Sequence, residues 1–461
     1  MCRLPRTSRI MRITSKEILN DPLSPVLIRM TIPMILGIFF MFLFTAVDTW
    51  FISLMGTKEL AAISFAAPVT FFIMSMVIGL SVGVVVMIGR VIGKGDQERS
   101  ARMTSDCLLF SLLLTIVVAV GGYLSIDPLF TLLGASAESL VLIHQYMDIW
   151  FFFVALLVIP MVGNSALRAT GDTKWPGIIM IVGGLINVIL DPILIFGWGS
   201  IPAMGIAGAA WATVGSWLVS FVIGMLILAV REKLILLSLP KRDVLLSHWG
   251  ELIKIGVPIS VANIMLPLTL GILTAMLAQF GEAVVAGFGA GGRIESFALI
   301  VAMAITASLS PFMAQNLGAN QQQRAHDACM LMMKYALTIQ FVLWILLFVF
   351  ARPLANVFSN EEDVVSITTL YLKIMPAGAL FYTILIILNT AFNAHENSNT
   401  TLLSSTARLV LFVVPCAWFG SKLHGVDGLF VGCVIGNILS SIFGWWLYRK
   451  HHHPEFQQLE A

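Results

Sequence analysis

Charge is what this chain has least of. Only 11% of its 461 residues are Asp, Glu, Lys or Arg, against 58% hydrophobic, and soluble domains carry about a quarter charged. So little charge cannot cover a water-facing surface, and the sequence reads as an all-α polytopic membrane protein. The formal net charge is +2, and the basic residues lie in connections instead of along one face, which excludes a nucleic-acid binder. Cysteine is also sparse: Cys2, Cys107, Cys329, Cys416 and Cys433 show no CxxC spacing. Four of them lie in or beside apolar runs as small hydrophobes, so no disulfide or zinc framework is implied. HExxH is missing and no acid, base and nucleophile converge on one cavity, which disfavours a membrane-embedded enzyme. The basic N-terminus (Arg3, Arg6, Arg9, Arg12, Lys16) is not followed by a small-residue cleavage site, so no cleaved signal peptide is expected, and Met11 is an alternative start to Met1. His451 to His453 lack converging ligands, and no metal site is assigned.

Long apolar runs are what the chain has in abundance. Twelve stretches near bilayer length are bounded by charge or by Gly and Pro. They span 26–55, 61–92, 104–126, 139–167, 175–197, 205–230, 252–280, 284–317, 327–350, 365–394, 400–419 and 427–448. The polar link 231–250 divides them into an N-lobe (25–230) and a C-lobe (251–448), flanked by an N-terminal segment (1–24) and a tail (449–461). Lys94, Arg99, Arg102, Arg168, Lys174, Arg324 and Arg408 are assigned to even-numbered connections, and Arg449 and Lys450 follow the last run. The positive-inside rule then puts both termini in the cytoplasm of a cytoplasmic (inner) membrane protein.

The two lobes repeat each other. A shift of 225 positions lays Pro33 on Pro258, Gly93 on Gly318, Arg99 on Arg324, Tyr146 on Tyr371 and Asn164 on Asn389. Six helices per copy insert the same way up, so an axis along the membrane normal relates the copies.

Asp48 and Asp191 each lie deep inside an apolar run. Such residues normally mark an ion, proton or substrate path. At about 1.5 Å per residue both come to a similar level in the outer half of the membrane. Asn187 is one turn from Asp191 on the same face, within reach of its carboxyl, and Thr213 reaches a similar depth. Pro33 breaks the hydrogen-bond ladder of the first run and supplies a hinge, although proline kinks are also common in membrane helices without further role. Arg293 and Glu295 in the eighth run could form a further intramembrane pair; a static pair and a substrate contact both stay open. Gly287-Phe-Gly-Ala-Gly-Gly292 matches GxGxxG but follows no strand, so its glycines, like Gly79/Gly83 and Gly432/Gly436, are read as helix-packing positions. Glu361, Glu362 and Asp363 read as a solvated face, and the 23 methionines suit an adaptable cavity or simple core filling.

The duplication, Pro33 with Asp48, Asn187-x-x-x-Asp191-Pro192, the Gly93-Lys-Gly-Asp96 loop and Ala166-Leu-Arg-Ala-Thr-Gly-Asp172 together resemble the MATE (multidrug and toxic compound extrusion) transporters. The seventh and tenth runs lack inner acids, which is similar to the DinF-type branch more than the NorM type. The resemblance implies a MATE fold and a cation or proton site at Asp48, Asp191 and Asn187, and it adds Tyr146 and Asn164 to the cavity. By helix geometry Asn164 falls much nearer the cytoplasm than the acids. The function implied is rocker-switch antiport of cationic or amphipathic drugs, with protonation of Asp48/Asp191 driving release and no cofactor beyond the coupling ion, proton or sodium. The partners would be small molecules and the lipid bilayer, with the chain a monomer. A lipid-linked-oligosaccharide flippase of the same superfamily is the alternative.

Overall fold

The computed structural model describes residues 13–236, 238 and 241–457. The arginines at positions 3 to 12, the alternative start Met11, Cys2, and the side chains of His452 and His453 lie outside what is described.

Those residues form helices α1 (Ser15–Asn20), α2 (Leu23–Ser53), α3 (Thr57–Gly93), α4 (Gln97–Leu124), α5 (Ile126–Leu132), α6 (Ala137–Phe153), α7 (Ala155–Ala169), α8 (Lys174–Ile195) and α9 (Ile206–Leu226). They continue with α10 (Arg242–Ala278), α11 (Glu282–Gly318), α12 (Gln322–Val349), α13 (Ala351–Phe358), α14 (Glu362–Ala394), α15 (Ser398–Ala407) and α16 (Val414–Gln457). Ten helical spans are long and apolar enough to cross a membrane, and the α6–α7 pair, bent by 45°, makes an eleventh. The bend precedes Pro160, which cannot donate to the preceding turn. The last span, Ser398–His451, reverses at His424 and Gly425, where Gly425 takes φ 59°. Beyond the reversal, Gly428, Gly432 and Gly436 face Gly420, Cys416 and Val413 in antiparallel order, so this span crosses twice and the twelve expected crossings are present. Each of those glycines meets backbone where a Cβ would stand, and this close approach is how helices associate in lipid, where burial of apolar surface supplies no net drive.

Two compact units result, one holding the described residues up to Gly256 together with Ala314–Asn320, the other Val257–Met313 and the residues from Gln321 onward. In the first unit α2 and α8 run in parallel. A Cβ on Gly37 would stand 2.9 Å from the Gly177 Cα, and one on Gly177 would stand 2.6 Å from the Pro33 carbonyl oxygen. The ends of α3 and α11 also meet in this unit. A Cβ on Gly93 would lie 2.0 Å from the Gln315 carbonyl oxygen, and one on Gly318 would lie 2.1 Å from that of Arg90. Gly93 and Gly318 are repeat mates, as are Arg90 and Gln315, so this is one contact made twice by the duplicated sequence.

α10 begins at Arg242, inside the stretch expected as linker, and its first turns are pinned by a buried carboxylate. Asp106 is 0% exposed; its Oδ1 accepts from Arg102 Nε at 2.9 Å, its Oδ2 lies 2.8 Å from His248 Nδ1, and its backbone carbonyl accepts from Trp249 Nε1 at 2.9 Å. Arg102 also donates to the Ser238 carbonyl, tying the link to α4. Arg408 departs from expectation. Instead of lying in a connection it is 8% exposed and opens a π-helical stretch, Arg408–Val413, one helix length beyond Ser398.

Gly177→Ala forces α2 and α8 apart, and a loss of about 1–3 kcal/mol is expected, measured as a lower melting temperature of the purified protein. Asp106→Ala strands Arg102 and His248 and is expected to cost about 3–5 kcal/mol, whereas Asp106→Asn retains part of the network and melts between the two.

Candidate functional site

The glycines that bring α2 against α8 also set the register of their acids. Along α8, Gly177, Gly184 and Asp191 recur every seven residues on one face. They meet Gly37, Phe44 and Asp48 of α2 in the same order, the Phe44 ring occupying the space where a Gly184 side chain would stand. The Asp48 and Asp191 carboxyls come within hydrogen-bonding range of each other. Asp191 is 0% exposed and Asp48 is half-buried. Asn187 Nδ2 donates to Asp191 Oδ1 at 3.4 Å. Asp48 Oδ1 and Asp191 Oδ2 have no hydrogen-bond partner among the described residues. Two carboxyls placed this way can share one proton as a hydrogen bond and repel when both are charged.

Tyr146, on α6, lies within electrostatic reach of both acids. Thr213 sits at the level of the acids on α9, between Gly208, which meets Leu194, and Gly215, which meets Leu190; its hydroxyl donates to its own helix at the Ala209 carbonyl, 3.0 Å away. Asn164 is not part of this group. It lies against Gly224, which also faces Ile179, three turns of α8 away from Asp191, and its Oδ1 has no partner among the described residues. Pro33 lies within the continuous helix α2, half-buried, with its carbonyl against Gly177.

The second unit carries a polar centre of its own. Tyr371 Oη donates to Glu295 Oε2 in a short hydrogen bond. The Tyr371 ring lies where a side chain on Gly291 would stand and packs against Phe288 and Phe430. Glycine at 291 is therefore what lets the tyrosine reach α11, and the GxGxxG match is a packing face. Arg408 Nε donates to Asn437 Oδ1 at 2.9 Å, and its guanidinium carbon stands 4.2 Å from the centroid of the Tyr382 ring. Arg293 faces elsewhere, toward a cavity of about 510 Å³ lined also by Phe358, Ser359 and Glu361, so Glu295 is paired across helices and not with Arg293.

Residues 33–193 and 258–419 each match the MatE family model. The chain belongs to the MatE family. The two matched segments start at the repeat mates Pro33 and Pro258. The chain is 41% identical over 437 residues to a protein of Shewanella oneidensis called an FAD transporter, covering 95% of this chain and 97% of that one. It is 24% identical to a multidrug export protein of Staphylococcus aureus, MepA, over 92% and 93% of the two chains. The MATE transporter VcmN of Vibrio cholerae superposes with a TM-score of 0.90 at 30% identity, covering 94% of this chain and 97% of that one. MatE proteins are transporters and not enzymes, so this chain is a multi-pass membrane transporter of small molecules.

Within that family frame, the sequence pointed to Asp48, Asp191, Asn187 and Tyr146, and the fold brings these together. It did not point to the Glu295–Tyr371 and Arg408–Asn437 contacts. The signal was present in the repeat, since Tyr371 is the mate of Tyr146 and each tyrosine serves a carboxyl centre in its own unit.

Neutralising one carboxyl removes a costly contact without leaving a void. Asp48→Asn is therefore expected to raise the melting temperature at pH 8, by the equivalent of about 1–2 kcal/mol; a lower melting temperature would show that the acid is held by a compensating partner.

Proposed function

We propose that this MatE protein exports flavin adenine dinucleotide, or a close flavin nucleotide, from the cytoplasm in exchange for protons. The observation that carries the substrate is the 41% identity to the Shewanella oneidensis FAD transporter across 95% of this chain, well above the 24% to the Staphylococcus aureus multidrug exporter. Drug efflux is the second reading, favoured by that exporter and by a probable multidrug resistance protein of Bacillus subtilis, 28% identical over 69% of this chain and 68% of that one.

Proton coupling rests on the Asp48–Asp191 pair. A proton from outside bridges the two carboxyls, draws the upper turns of α2 and α8 together and displaces substrate; its loss to the cytoplasm restores repulsion and reopens the site. Asn187 orients Asp191, and Tyr146 and Thr213 line the same level. Pro33 is the hinge about which α2 bends, a reading supported by the solution of Vibrio cholerae VcmN, 31% identical, in a bent form. A carboxyl pair whose charge alternates suits protons, and sodium takes the same oxygens in the competing case. The absence of acids from the membrane-crossing parts of α10 and α14 favours the DinF-type branch. Basic connections place both termini in the cytoplasm of the inner membrane, and one chain holds a complete set of coupling groups, consistent with a monomer.

Inverted membrane vesicles with an acid lumen are expected to accumulate FAD when the proton gradient alone is imposed and not when a sodium gradient alone is imposed. Asp48→Asn is expected to lower proton-driven uptake at least tenfold. Accumulation of ethidium without FAD would replace the flavin reading by drug efflux, and uptake driven by sodium alone would remove proton coupling.

A further inference from the structure

The flavin reading leaves open what part of the substrate this chain grips, and the second unit holds a cation that the Asp48–Asp191 cycle does not use. Arg408 is 8% exposed. An isolated buried charge is expensive unless it is paired and hydrogen-bonded, yet Arg408 makes no ion pair among the described residues. Glu295 is in electrostatic range of it, but no carboxylate oxygen comes within 4.0 Å of its nitrogens, and the Glu295 carboxylate already accepts from Tyr371.

What Arg408 does have are contacts that fix its orientation. Nε is held by Asn437 Oδ1 at 2.9 Å, and one guanidinium face lies 4.2 Å from the centroid of Tyr382. The two Nη groups have no hydrogen-bond partner among the described residues, and neither is enclosed as a buried unsatisfied atom. A guanidinium gripped at Nε and on one face, with its Nη fork open, is preorganised for two parallel hydrogen bonds to an oxoanion. The π-helical turn that begins at Arg408 is the kind of insertion that recurs at functional sites.

We infer that Arg408, positioned by Asn437 and stacked on Tyr382, is the phosphate-binding residue of this transporter and takes the diphosphate of its dinucleotide substrate. This inference rests on the flavin reading for the identity of the substrate, but the oxoanion site itself is open to a separate test. An acidic lipid headgroup offers the same phosphate chemistry, and a non-ionic detergent removes it.

The purified full chain in a maltoside detergent is titrated calorimetrically with ADP, which carries a diphosphate without a flavin, and with adenosine, which carries none. The wild type is expected to bind ADP at least tenfold more tightly than adenosine. Arg408→Gln is expected to erase that ratio, and Arg408→Lys, which keeps the charge but not the fork, to restore part of it. Asn437→Ala is expected to weaken ADP alone. A wild-type chain that does not prefer ADP overturns the inference, and so does an Arg408→Gln protein that melts normally and keeps the wild-type ratio. If ADP binds through Arg408 while vesicles fail to transport FAD, the phosphate site stands and the flavin reading falls.

Discussion

A carboxyl group in hydrocarbon needs a partner, and in this protein Asp48 and Asp191 are given each other. Everything about the packing of α2 on α8 serves that meeting. Gly37 and Gly177 let the two backbones touch, Gly184 admits the Phe44 ring, and the next contact up the same face is acid on acid. Because the helices are parallel and the face repeats every seven residues, the close approach near Pro33 fixes the approach two to four turns away. The pair thus sits at one end of a face whose other end is a tight glycine contact beside Pro33.

Duplication explains both the economy of the fold and its asymmetry. The mates of Asp48 and Asp191 are Leu273 and Cys416. Leu273 is 2% exposed and belongs to the same apolar core as Tyr371, so the second unit has given up the acidic pair for packing. Its tyrosine is kept and turned to a different acid, Glu295, whose own mate is Thr70. Near it stands Arg408, whose mate is Gly183. One copy holds the acidic pair, and the other holds the Glu295–Tyr371 and Arg408–Asn437 contacts. Where the copies must still agree they do: Gly93 on Gln315 and Gly318 on Arg90 are the same contact in both directions.

The sequence alone determined the number of crossings, the repeat, the family resemblance and the two acids that the fold brings together. These follow from local quantities: the length of an apolar run, the cost of a charge within it, and constant spacing between matched Pro, Gly and Tyr. Helix rise along one axis placed Asp48 and Asp191 at one level and set Asn164 apart from them, and the structure has the same separation. Tertiary structure decided which side chains share a contact. Arg408 is assigned to a connection although it falls within the run 400–419, because a lone arginine in an apolar run carries no mark of its partners; its burial goes with Asn437 and Tyr382, on other helices. Glu295 and Arg293, two residues apart, looked like candidates for one pair, but successive positions on a helix face different neighbours. Only the packing of α14 on the glycines of α11 gave Glu295 to Tyr371.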